Sequence, residues 1–265
     1  MKKAAVLLFL FLIVPLGTIF ASSESARKNY IFQFDLYRQK YSEFQVAKNE
    51  YAKFKTLTAQ ATALEKTKSM LAQRDQLLHA YLTLLAEKLA EEQGLPSTTK
   101  QLYVTLISNE LKFLEAHAQT IPSIATLDDA TRVSEELSGH YRVLQISIRQ
   151  ILTGLSLGQL AILGNMYDTS VRNAQTVMAT YGGTFSPAKQ ETLNRWILQI
   201  NNKRSFYQQK LDQIASLNAQ LDAPDLDELD RKFSEITQKI AEARQYLVEG
   251  ASFLIELKNA LKYKE

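Results

Sequence analysis

Between Ser25 and Gln93 the chain contains neither glycine nor proline. Those two residues supply most helix breaks and tight turns, so so long a stretch without them excludes a sheet of short strands and hairpins. It predicts one helix over residues 25–93, about 100 Å long at 1.5 Å per residue. The helix ends at "QGLPST", where Gly94 suits the position just past a helix and Pro96 forbids continuation. Ser97 or Thr98 then caps the next one.

Four more helices follow from the remaining punctuation. One runs from about Ser97 to Thr120 and stops at "TIPSIATLDD". The next starts at Thr126 or Leu127, where Asp128 and Asp129 favour the positive end of the helix dipole, and reaches about Tyr181. After "YGGTFSPAK", Ser186 as cap and Pro187 in the first turn open a helix that extends to Leu221. Beyond "DAPD" the last spans Asp225 to Lys262. With only 9 Gly and 5 Pro, and 46% apolar residues for a core, the fold class is all-α with about five long helices after an N-terminal signal.

That signal is "MKKAAVLLFLFLIVPLGTIFASSES": two lysines, an uncharged apolar run from Ala4 to Phe20, then small polar residues. The layout predicts a secretory signal over residues 1–23 and an exported protein, whether secreted, periplasmic or at the cell surface. The run is also nearly long enough to stay uncleaved as an anchor, the one membrane contact expected. Cysteine is absent, so neither disulfides nor a lipid-attachment box are available. Lys2 and Lys3 carry most of the formal charge of +3, and the near-neutral remainder has no basic block, which argues against nucleic-acid binding.

Packing expectations follow from periodicity. The last two helices carry matching heptad seams, Leu226, Leu229, Phe233, Ile236, Ile240, Ala243, Leu247, Gly250, Leu254, Leu257 and Leu261 against Leu193, Ile197, Ile200, Arg204, Tyr207, Leu211, Ile214, Asn218 and Leu221, the second interrupted by two polar residues, as in an antiparallel coiled-coil hairpin. Counting outward from their turn sets Ile197 by Gly250, with Trp196 in the space that Gly250 leaves. If Pro122 only kinks the chain, the second and third helices return along the first. The result is an elongated antiparallel hairpin with a four-helix bundle at one end, one domain over 24–265. Residues 24–65, 127–181 and 187–262 form the bundle end, and 66–120 a distal hairpin. Tyr30, Phe34, Tyr37 and Tyr41 on one face of the first helix are expected to pack over Gly154 and Gly158. Those glycines belong to "ILTGLSLGQLAILG", whose small residues four apart resemble close-packing membrane helices. Gln150, Thr153, Ser156 and Gln159 around it favour a buried core helix over a membrane-inserting element or a partner site.

For chemistry the reading is negative. There is no Gly-x-Ser-x-Gly, no glycine-rich phosphate loop and no His-Glu-x-x-His, so no catalytic residue, cofactor or metal is expected. Asp75 precedes His79 by four and Glu136 precedes His140 by four, while His117 stands alone. Without a third ligand these are ordinary surface pairs. Leu71, Leu78, Tyr81 and Leu85, with Tyr103 and Phe113 on the second helix, form apolar stripes wider than one seam. In a distal hairpin with no third helix they stay exposed for self-association or a protein partner. The sequence thus predicts an exported, non-enzymatic helical scaffold or interaction protein. The alternatives are a secreted α-helical pore former using 143–167 and an extracytoplasmic ligand-sensing or chaperone-like bundle.

Overall fold

The computed structural model describes residues 20–262, so the expected signal or anchor lies, up to residue 19, outside the described residues. Among the described residues there are six α-helices and no strand: α1 (Phe20–Phe54), α2 (Leu57–Glu91), α3 (Ser97–Thr120), α4 (Leu127–Tyr181), α5 (Pro187–Ala219) and α6 (Leu226–Lys262). The expected single helix over 25–93 is corrected to two. Lys55 takes a left-handed φ of 50° and Thr56 caps α2 by accepting from the Ala59 amide at 3.2 Å. The left-handed lysine costs roughly 1–2 kcal/mol and the cap contributes about 1 kcal/mol in return. Reversal lets the two halves bury apolar surface on each other, which one isolated long helix cannot do. The pair is antiparallel. Tyr30 and Tyr81 have ring centroids 5.2 Å apart, Gln73 Nε2 donates to Gln33 Oε1 at 2.6 Å, and Lys66 pairs with Glu43 at 3.2 Å.

Pro122 reverses the chain instead of kinking it. It sits in a 3-10 turn (Ile121–Ser123), after which Thr126 and Asp129 cap α4 reciprocally. α4 is continuous over 55 residues, about 80 Å, straight through Gly154 and Gly158. Its first half joins α2 and α3 in a core that includes Leu85, Leu89, Ile107, Leu114, Leu144 and Ile151. Its second half joins α5 and α6 in another, with Leu160, Tyr167, Ile200, Tyr207 and Ile236. The uncharged run "ILTGLSLGQLAILG" lies where the two cores meet. Ile151, Thr153, Gly154, Leu155, Gly158, Leu160 and Gly164 are buried, while Gln159, Ile162 and Leu163 are exposed, so burial accounts for the lack of charge on one side of the run.

The helices beside that run are not those expected. Tyr103 of α3, not an α1 ring, fills the space over Gly154, and the α2–α3 loop fills that over Gly158. A Cβ on Gly94 would overlap the carbonyl of Gly158, so the loop and α4 touch backbone to backbone. α5 and α6 are antiparallel, with Lys203 paired to Glu249 and Lys210 to Glu242. Yet Gly250 makes room for Tyr167, whose hydroxyl donates to the Ile200 carbonyl at 3.0 Å. Trp196 is half-buried and packs on Phe253 instead. The four-helix end is also differently composed. α1 packs almost entirely on α2, and the four helices that gather at one end are α1 to α3 with the first half of α4.

Two substitutions test this account by chemical denaturation. Lys55→Gly removes the left-handed penalty and raises stability by about 1 kcal/mol. Gly94→Ala forces the loop off α4 and lowers stability by roughly 1–3 kcal/mol.

Candidate functional site

The distal-hairpin surface expected from sequence does not exist as a surface. Leu71 is buried with Ile121, Ile124 and Val133, Leu85 and Tyr103 are buried in the α2–α3–α4 core, and Leu78, Tyr81 and Phe113 are half-buried against that core. The physical reason is the reversal at Pro122, which lays the first half of α4 over α2 and α3 and supplies the missing third helix.

Exposed apolar side chains occur on α3 to α6 as well, such as Leu102, Met166, Leu198 and Val248, and on α1 they include rings in contact with one another. Because α1 rests on α2 alone, the rings assigned to the bundle core form a half-exposed ladder. Tyr30–Phe34, Tyr37–Tyr41 and Tyr41–Phe44 have centroids 6.4, 5.9 and 6.1 Å apart. Phe34 and Tyr41 are 42% and 44% exposed, and Phe32, on the opposite flank, 62%. Ile31, Val46 and Phe54 add to the uncovered apolar area. Two grooves run alongside. One, of about 500 Å³, lies between α1 and the start of α4, lined by Phe44, Lys48, Tyr51, Met70, Leu127, Thr131, Ser134 and Glu135. The other, of about 410 Å³, lies between α1 and α3 and is more polar, with Asn29, Gln33, Asp75, Gln76, His79 and Glu115.

Beneath the second groove is a polar arrangement that the sequence reading missed. His117, thought isolated, is 4% exposed, with Nδ1 2.6 Å from Asp75 Oδ2 and Nε2 2.8 Å from the Val133 carbonyl. A carbonyl only accepts, so Nε2 carries a proton. The short contact on the other side then needs one more proton, shared between imidazole and carboxyl, which leaves the pair neutral overall. Burial pushes the Asp75 carboxyl above its usual range, opposed in part by the hydrogen bond to His117. Arg74, the neighbouring cation, is 4.0 Å from Asp75 and donates from Nη1 to Ser134 Oγ at 3.2 Å. The remaining histidines are re-paired in the same manner, across helices. His140 meets Glu110 at 2.7 Å instead of Glu136, and His79 meets Glu115 at 3.8 Å instead of Asp75. Phe113 stacks on His140 at 3.7 Å and approaches His117 at 6.0 Å, lying between the half-buried His140 and the buried His117. No local sequence signal points to the three acid–histidine pairs, because each joins residues at least thirty positions apart.

These contacts tie α2, α3 and α4 to one another. Ser147 Oγ donates to Glu110 Oε1 at 2.8 Å, so the serine is bound to the carboxylate and not to the imidazole that would have to activate it. Among the described residues no three His, Asp or Glu side chains gather as metal ligands would. No protein-family model, curated protein or solved structure matches the chain.

The raised Asp75 carboxyl has a pH signature. A group whose folded-state pKa is raised contributes stability that is fully present below the unfolded value, about 3.9, and is lost as pH rises through the folded value. The stability of the wild type relative to Asp75→Asn therefore declines as pH rises from about 4. Urea unfolding of both proteins across that range measures it, and parallel curves refute it.

Proposed function

We propose that the protein is an exported, non-enzymatic helical binding scaffold whose working surface is the α1 flank and its adjoining groove. The observation that carries this reading is the one-sided packing of α1, which leaves an aromatic ladder uncovered beside an apolar groove. Aromatic side chains are the groups most enriched at binding hot spots, because they bury large rigid areas at small entropic cost. Monomeric proteins rarely keep so much contiguous apolar surface in water without a use for it. The signal-like first 23 residues support an extracytoplasmic place for it.

The pore-forming alternative rests on α4, the one helix among the described residues long and apolar enough to cross a membrane. Insertion would require α4 to leave both cores at once, giving up side chains such as Leu144, Ile151 and Leu160, all fully buried. Each such side chain is worth about 1.5–3 kcal/mol of burial. The scaffold reading keeps those contacts.

A photo-cross-linking residue placed at Tyr41, in the ladder itself, in the native exporting cell tests the surface. Position Phe206 on α5 is the control, since both are 44% exposed. A defined adduct from 41 and none from 206, whether with another protein or a second copy, is the expected outcome. No adduct at 41, or the same adducts from both positions, removes the proposal.

A further inference from the structure

We infer that α4 pairs, antiparallel, with α4 of a second copy of the chain, through the uncharged face that its second half leaves bare. This surface is separate from the α1 flank, and neither assignment depends on the other.

Eighteen residues make about five turns of helix, so side chains that far apart on α4 point the same way. Leu144, Ile148 and Leu155 face α2 and α3 and are buried in the core they share. Their counterparts one such interval on, Ile162, Met166 and Asn173, are exposed, Met166 at 63%. The cover ends because α2 stops at Glu91 and its loop to α3 touches α4 at Gly158. Beyond that step the bare face continues through Leu163, Val177 and Tyr181, all exposed. α5 and α6 hold the opposite side, where Leu160, Tyr167 and Val171 are buried. A water-facing helix surface ordinarily carries charge. From Gln159 to Tyr181, however, the charged residues are Asp168 and Arg172 alone, and neither lies on this face. Asp168 turns to α5, where Arg204 donates to it at 2.7 and 3.0 Å. Arg172 is rotated about 120° around the helix from Met166. Burial in the two cores explains the missing charge on the other sides of α4, and this side needs a cover of its own.

The face is complementary to itself. Leu163, Met166, Ser170, Asn173, Val177 and Thr180 follow one another at alternating spacings of three and four, the seam of a helix pair. Read in reverse, the seam matches. About a two-fold axis between Ser170 and Asn173, Met166 meets Val177 of the second copy, Ile162 meets Tyr181, and Ser170 meets Asn173, each contact occurring twice. No like charges oppose each other, and the polar pair at the centre fixes the register. The step at Gly158 leaves room for the partner: antiparallel pairing brings the α2–α3 loop of one copy level with the α4–α5 turn of the other, where α4 has ended. A bilayer fits less well, because hydrocarbon offers Ser170 and Asn173 no hydrogen bond. The seam, about 30 Å long and one helix wide, is smaller than the roughly 1,200 Å² of a standard interface, so the pair is a reversible one.

The test uses the chain as exported, in sedimentation velocity from about 1 µM to about 500 µM, the range in which weak association shows. A concentration-dependent dimer is expected. Met166→Glu should weaken it about tenfold or more, since it sets a carboxylate into the seam, while Val248→Glu, at a similarly exposed position on α6, leaves it unchanged. Circular dichroism checks that both variants fold. The chain has no cysteine, so introduced thiols report the register. With oxidised glutathione, the Met166→Cys/Val177→Cys double variant should give a disulfide-linked dimer and neither single variant should, because each position meets the other and not itself. If Met166→Glu does not fold, the cysteine variants decide. A chain that stays monomeric throughout the range, a dimer indifferent to Met166→Glu, or linkage by a single variant as efficient as by the double each overturns the inference. So does a monomer that adsorbs to phosphatidylcholine vesicles and loses that adsorption with Met166→Glu, which assigns the face to a membrane. A dimer that survives Met166→Glu and cross-links from Tyr41 belongs to α1, and the scaffold reading stands without this one.

Discussion

At Gly94 the loop between α2 and α3 touches α4 at Gly158 with no side chain on either partner. Two backbones this close leave no freedom to slide, and the level of every other contact follows from it. Tyr103, two helical turns or so beyond the loop, arrives over Gly154. Its hydroxyl accepts from Asn218 Nδ2 at 2.9 Å, and Asn218 also donates to the Gln150 carbonyl at 3.1 Å. The tip of the α5–α6 hairpin is held nearer the start of α4 by Arg142, which reaches Asp222 at 3.2 Å. A contact made by absent atoms thus places both halves on one helix. Tyrosine into glycine recurs along it, with Tyr207 over Gly164 donating to the Leu160 carbonyl at 2.6 Å. Each ring fills a notch and spends its one hydroxyl proton or lone pair on a buried polar partner, as buried tyrosines require.

Much of this was legible in the sequence, and the rest was not for reasons that can be named. Gly94 with Pro96, Pro122, Ser186 with Pro187 and the "DAPD" turn all mark real helix ends, since each carries local backbone chemistry. The continuity of α4 through its glycines and the burial of its uncharged run were also readable, from charge pattern and periodicity. The reversal at Lys55 was not. A lysine in a left-handed conformation carries no sign of it, and only Thr56 as a cap hints that a helix begins at Leu57. Missing that one turn displaced what followed, because a helix twice the length had to be covered by α3 and α4 running the same way.

The candidate site shows the same division. That Tyr30 to Tyr41 form an aromatic face, and that Gly154 needs a ring, were both read from the sequence. The two were then joined to each other, when Tyr30 belongs with Tyr81 and Gly154 with Tyr103. Composition shows that a surface needs a partner but not which partner it finds. The histidines make the point most sharply. Spacing of four within one helix offered Asp75 to His79, while the fold gives Asp75 to His117 from another helix, because burial in a shared interface outweighs nearness along an exposed face.

The one-sided attachment of α1 also bears on the order in which the molecule comes apart. Regions with few buried contacts open at free energies well below that of global unfolding, and amide exchange registers them as separate units. α1, anchored along one line by α2 with Ala47 its one buried side chain among those described, is such a unit, whereas the middle of α4 is gripped by both cores. Its amides are therefore expected to exchange ahead of that core, and any partner resting on α1 would be bound in part by holding the helix in place, so that binding and local order would form a single equilibrium.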